Sequence, residues 1–163
     1  MMRVLLFAAA LAVSACGLRP MYAGGGSGGA AASLRAIQVQ PIPGRAGWLV
    51  HKALGQRLGG AGDPRYRLEV ELDDNITGFG IRGDSAATRE RRTLRARYRL
   101  IELATGAVVL DATAGSDAGI DVVSSQYATV AAEQTALERL SEVIADQMVG
   151  RLAMYVSRAP ALQ

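Results

Sequence analysis

From residue 34 onward the apolar positions change period in a readable order. LRAIQVQPI, Leu34 to Ile42, reads as a strand ended by Pro41 and Pro43. GWLVHKALGQRL, Gly47 to Leu58, sets Val50, Leu54 and Leu58 four apart, the spacing of one helix face, and Gly59-Gly60 stops it. YRLEVEL then alternates strictly, with Tyr66, Leu68, Val70 and Leu72 to one side and Arg67, Glu69 and Glu71 to the other. A loop with three glycines is predicted around Asn75 to Ala87. TLRARYRLIEL alternates again through Leu94, Ala96, Tyr98 and Leu100. Thr105-Gly106 marks a turn, and VVLDATA follows with Val108, Leu110 and Ala112 on its core face. From Ser125 to about Tyr155 one long helix is predicted, with Val130, Leu137, Leu140, Ile144, Met148, Leu152 and Tyr155 along a stripe. At 1.5 Å per residue it would run about 45 Å.

The order β-α-β-β-β-α predicts an α+β fold, a two-layer sandwich. Its sheet is four-stranded and mostly antiparallel, with both helices on one face. Three successive strands joined by turns form a meander, and their alternation leaves the other sheet face polar. Residues 34–158 make this single domain.

Ahead of the domain the pattern is of another kind. Arg3 precedes an apolar run from Val4 to Val13 and the small residues Ser14 and Ala15, the three parts of an export signal over residues 1–15. That run is about half of the ~20 residues a membrane-spanning helix needs. Cys16, the only cysteine, follows at once. Val13-Ser14-Ala15-Cys16 resembles the lipobox of bacterial lipoproteins, in which the cysteine thiol is lipidated before cleavage. Cys16 is therefore the expected anchor, and a cysteine carrying two or more acyl chains meets the requirement for stable membrane attachment. Gly17 stands where many inner-membrane lipoproteins carry Asp, which favours the periplasmic face of an outer membrane. Residues 16–33, including AGGGSGGAAAS, read as a tether with a mean reach of about 20–25 Å.

Composition removes most enzyme classes. His51 is the only histidine of the 163 residues and Cys16 is expected to be lipidated, so no Cys/His metal site is left. No serine lies in a nucleophile-elbow sequence. Asp73-Asp74 reads as a strand end rather than an acid/base pair, and GFGIRGD, Gly78 to Asp84, lacks a P-loop lysine and reads as a hairpin tip. No catalytic residue, metal or cofactor is expected. The net charge of +3 is too small to specify a partner.

The distribution of charge says more. Arg82, Arg89, Arg91, Arg92, Arg95, Arg97 and Arg99 fall close together, and all of the chain's basic residues except Lys52 are arginine. Arg89, Arg91, Arg95, Arg97 and Arg99 share a parity that directs them to the solvent face of one strand. Their planar forks suit phosphate or carboxylate, so this face could bind a phosphorylated glycolipid. The other reading is a salt-bridge ladder with Glu69, Glu71 and Asp73 on the preceding strand and Asp111 on the following one. Nucleic acid is discounted, since an exported chain is in the wrong compartment and few aromatic residues share the arginine parity.

Taken together, the segments CGLRPMY (16–22), YRLEVEL (66–72), ATRERRTLRARYRL (87–100), TGAVVL (105–110) and SSQYATVAAEQTALERLSEVIADQMVGRLAMY (124–155) resemble the lipopolysaccharide-assembly lipoprotein family, LptE, most closely its alphaproteobacterial branch. The resemblance implies two helices on one face of a four-stranded sheet. It also implies a one-to-one complex with the LptD-type outer-membrane β-barrel, which such lipoproteins plug and help to assemble, and assistance in delivering lipopolysaccharide to the outer leaflet. Cys16 matches the lipidated cysteine of the family. Arg89, Arg91 and Arg92, near the hairpin end, are the candidate lipopolysaccharide contacts by charge and position. A different lipid-anchored adaptor, such as a secretin pilotin or a peptidoglycan-associated scaffold, is the alternative function.

Overall fold

The computed structural model describes residues 29–60, 63–81 and 87–158. Its elements are α1 (Gly29–Arg35), β1 (Ile37–Val39), α2 (Gly44–Leu58), β2 (Tyr66–Ile81), β3 (Ala87–Glu102), β4 (Val108–Asp121) and α3 (Gln126–Arg158). The strands form one sheet in the order β1-β2-β3-β4. β1 runs parallel to β2, while β2–β3 and β3–β4 are antiparallel, so the sheet is mixed. A parallel pair needs a crossover connection, and α2 supplies it.

The α+β sandwich is as expected, with differences at its ends. The first strand is only Ile37–Val39, because Ala36 to Gln40 is the whole stretch that bonds to the β2 side of the sheet. The tether expected through residue 33 gives way to α1 at Gly29, and Leu34, expected in a strand, is a buried residue of that helix. The glycine-containing stretch after Asn75 is strand rather than loop: β2 continues to Ile81 and pairs with β3 from Ala87. Unbroken register carries Asp73 and Asp74 through the middle of β2 instead of at its end. The segment 117–121 likewise completes β4. The export signal, Cys16, the tether up to residue 28 and Arg82 to Asp84 lie outside the described residues.

These extensions have a common geometry. A 16-residue strand rises roughly 50 Å at about 3.3 Å per residue. The 33-residue α3 is also about 50 Å long at 1.5 Å per residue. The hairpin and the helix therefore match in length. α3 packs over β3 and β4, and α2 lies beside it towards β1 and β2.

The core fills the space beneath the helices with the even-numbered rows of the sheet. Leu68, Leu94, Leu100, Val50, Leu54, Ile144, Met148 and Leu152 are fully enclosed, and Tyr98 nearly so. Burial pushes the Tyr98 phenol above its ordinary value. Tyr66 meets Tyr155 edge to face, with centroids 6.4 Å apart. The apolar stripe of α3 holds from Leu137 onward, but Val130 is solvent-facing and Thr129 is buried in its place. α2 ends as its sequence requires: Gly59 takes φ 81° and its N–H bonds the Gly55 carbonyl. Gly47 sits directly on the Ile42 carbonyl, where a Cβ would collide with backbone.

Candidate functional site, a charged sheet face

The helices cover one face of the sheet and leave the odd-numbered rows of β2, β3 and β4 outward. The register places six carboxylates there, Glu69, Glu71, Asp73, Asp111, Asp117 and Asp121. Six guanidiniums share that face: Arg67, Arg89, Arg91, Arg95, Arg97 and Arg99. Apart from Arg67 on β2, the face is thus striped acidic, basic, acidic across the three strands, with no net charge.

Most of it is paired. Arg97 grips Asp111 with two hydrogen bonds, Nε to Oδ1 at 3.2 Å and Nη2 to Oδ2 at 2.9 Å. These bonds raise the Arg97 pKa and lower that of Asp111. Arg99 Nη2 lies 3.4 Å from both Glu69 and Glu71. Arg67 Nε is 3.2 Å from Glu69 Oε1, though its N–H is not aimed at it. Arg89 donates to Asp121 at 3.1 Å, and Arg91 stands 4.0 Å from Asp117 with its guanidinium 5.4 Å from the Phe79 ring centroid. The ladder reading therefore describes the face well. Exposed pairs of this kind contribute little to stability.

Among the arginines expected to contact ligand, the structure separates Arg92 from the other two. Arg89 and Arg91 face outward near the far end of the hairpin, both well exposed. Arg92 has the opposite parity and turns beneath α3. There Nε and Nη2 donate to both oxygens of Asp74 at 2.8 and 2.6 Å, and Nη1 donates to the Glu133 carbonyl at 2.9 Å. Its side chain is 12 % exposed. The hydrogen bonds to Asp74 raise its pKa against the opposing effect of burial. Arg92 locks strand to helix. The signal was present in the sequence: in Glu90-Arg91-Arg92 two adjacent arginines cannot share one face of a strand.

Two further polar contacts have no comparable sequence signal. Arg57 of α2 bonds Asp146 of α3 at 2.6 and 3.2 Å, and the pairing lowers the Asp146 pKa. Gln147 uses its carboxamide on β4, an edge strand: Gly115 N–H donates to Oε1 at 3.1 Å, and Nε2 donates to the Gly115 carbonyl at 3.3 Å. This side chain occupies the edge where a further strand would pair. His51 is exposed on α2. Among the described residues no cluster of His, Cys, Asp and Glu is arranged to hold a metal ion, and no helix is long and apolar enough to cross a membrane.

The fold of this domain is shared with solved bacterial lipoproteins. One designated a lipoprotein from Caulobacter crescentus CB15 superposes with a TM-score of 0.67 at 24 % identity, over 80 % of this chain and 96 % of that one. A minor lipoprotein from Acinetobacter baumannii gives 0.60 at 10 % identity, covering 72 % and 90 %. Lipoprotein B from Nitrosomonas europaea gives 0.59 at 11 %, covering 75 % and 84 %. No curated protein matches in sequence. The family model described as Lipopolysaccharide-assembly, LptE, matches residues 34–152, and the chain belongs to that family. The family is one of non-enzymatic lipoproteins of the cell envelope, and membership supports a role in lipopolysaccharide assembly with an outer-membrane partner.

Proposed function

We propose that this lipoprotein, anchored in the outer membrane through Cys16 with its domain on the periplasmic side, forms a one-to-one complex with an LptD-type β-barrel. It plugs that barrel, helps it assemble and assists delivery of lipopolysaccharide to the outer leaflet. The observation that carries this reading is the family match over residues 34–152. The build of the domain supports it. A barrel lumen is polar, and an outward face with matched acids and bases suits such a lining better than an apolar surface would. Arg89 and Arg91 supply the lipopolysaccharide contact. Their pairs with Asp121 and Asp117 are exposed, and the Arg91 pair is long at 4.0 Å, so a phosphate can displace the carboxylates. Arg92, engaged by Asp74 and Glu133, holds the strand beneath them.

The test is affinity purification of a C-terminally tagged protein from detergent-solubilised outer membranes, with mass spectrometry of what co-elutes. A lipopolysaccharide-assembly barrel at near-equal amount is expected. Recovery of another channel, or of peptidoglycan proteins without that barrel, would overturn the reading.

A further inference from the structure

Among the described residues, every outward charge of β2, β3 and β4 has an opposite charge within 4.0 Å except two, Arg95 and Asp73. They are directly opposed across β2 and β3, in the position where a ladder pair would form. Arg95 turns the other way. It lies over Gly115 of β4, with Nη1 2.9 Å from where a Cβ at that residue would stand. The guanidinium thus uses space that only glycine leaves open. Around the two charges is an open saddle of about 470 Å³, lined by Glu71, Asp73, Arg95, Arg97, Thr113 and Gln147.

We propose that the Arg95–Asp73 saddle is a docking point for the polar inner wall of the partner barrel, at which a carboxylate of that wall meets Arg95 and a basic side chain meets Asp73. This rests on the function proposed above. Three features favour such a partner. The site is shallow and open, so it offers little enclosure to a small molecule. It presents one cation and one anion, so a ligand of a single sign would gain at one residue and lose at the other. Finally, its charges sit on neighbouring strands, which are about 4.8 Å apart in any sheet. A second β-sheet laid against this one carries its own alternating rows at the same spacing. A wall striped basic, acidic, basic would complement the acidic, basic, acidic face of this domain, and the open pair is where new ion pairs can form without breaking old ones.

The experiment uses the full lipoprotein in outer membranes. A photo-crosslinking p-benzoylphenylalanine replaces Thr113 beside the saddle, and another replaces Arg139 on α3 as a distant comparison. In parallel, Arg95→Glu, Asp73→Arg and the double exchange of both are scored for barrel co-purification and for melting temperature. The expected result is a crosslink from position 113 to the barrel and a several-fold loss of co-purified barrel in both single reversals. The double exchange should not restore it, because the partner's charges keep their original order. Restoration by the exchange would assign the pair to the domain's own stability and overturn the proposal. Barrel that co-purifies normally with every variant and is never crosslinked from position 113 would overturn it while leaving the proposed function standing. Absence of the barrel even with the unaltered protein would remove both. Should a reversal unfold the domain, Arg95→Gln and Asp73→Asn keep the shapes and give the same reading at lower amplitude.

Discussion

Replacing Arg92 by alanine tests whether a guanidinium under α3 is structural. The side chain donates two hydrogen bonds to the Asp74 carboxylate and one to the Glu133 carbonyl, and it is 12 % exposed against 23 % for Asp74. Hydrogen bonds to charged groups are worth about 1.5–3 kcal/mol each, but bonds sharing one guanidinium are not additive. Arg92→Ala also strands a half-buried carboxylate and uncovers the Glu133 carbonyl. Partial access of water to Asp74 limits the penalty, so the loss is set at about 2–3 kcal/mol, below the range for breaking a fully buried pair. Asp74→Ala is milder at about 1–2 kcal/mol, because Arg92 keeps its bond to Glu133 and can reach water.

The assay is urea unfolding of a Cys16→Ser form, followed by circular dichroism, for both single variants and the double variant. The double variant should be less destabilised than the two singles combined, with a coupling of about 1–2 kcal/mol. Arg97→Ala is the comparison. Its pair with Asp111 has similar geometry but stands in solvent, so its midpoint should move far less. Additive losses for Arg92 and Asp74, or an Arg92→Ala midpoint no lower than that of Arg97→Ala, would refute the lock.

Asp146 has its pKa held down, first by the hydrogen bonds from Arg57. A depressed carboxylate stabilises the fold above its unfolded value near 3.9 and loses that contribution as pH falls through the folded value; Asp146→Asn should therefore flatten the fall in stability below about pH 4, seen in melting temperature against pH. Gly47→Ala places a methyl against the Ile42 carbonyl and should cost about 1–3 kcal/mol in chemical denaturation. Gln147→Ala frees the Gly115 edge, so concentration-dependent association should rise in sedimentation velocity. Arg89→Ala with Arg91→Ala should weaken lipopolysaccharide binding several-fold and reduce its sensitivity to salt, while leaving the melting temperature nearly unchanged, as measured by binding to immobilised lipopolysaccharide.

The two-layer fold was legible because its period signals are clean where one face is buried. Leu68 and Val70, then Leu94 to Leu100, alternate without error, which tells the buried face of each strand but not the register between them. The hairpin's outer half was not legible, since Asn75, Thr77, Gly78 and Gly80 read as loop residues. They form strand because β3 extends beside them and supplies the pairing, a tertiary effect that local propensity does not contain. α1 was hidden for the opposite reason: GAAASLR continues a glycine-rich string, and Leu34 docking in the core is what makes a helix of it. The arginine face was legible as a face by parity alone, while the occupancy of each guanidinium needed register on both sides of β3. Sequence could count acids against bases there, but it could not show that Gly115 draws Arg95 away from Asp73.

That last detail bears on how a charged surface can be both soluble and adhesive. If all twelve outward charges were paired internally, a partner would have to break one pair to form another, exchanging like for like with little gain. If many were free, the domain would carry a strong field and bind unrelated ions or chains. One open pair among five satisfied arginines lies between these limits. The satisfied members fix the side chains around the saddle, which lowers the ordering cost of docking. Arg95 and Asp73 then provide two contacts of opposite sign whose order along the face sets the partner's orientation. Reversing that order leaves the total charge unchanged, so any loss of binding in the exchanged variant must come from arrangement rather than from charge.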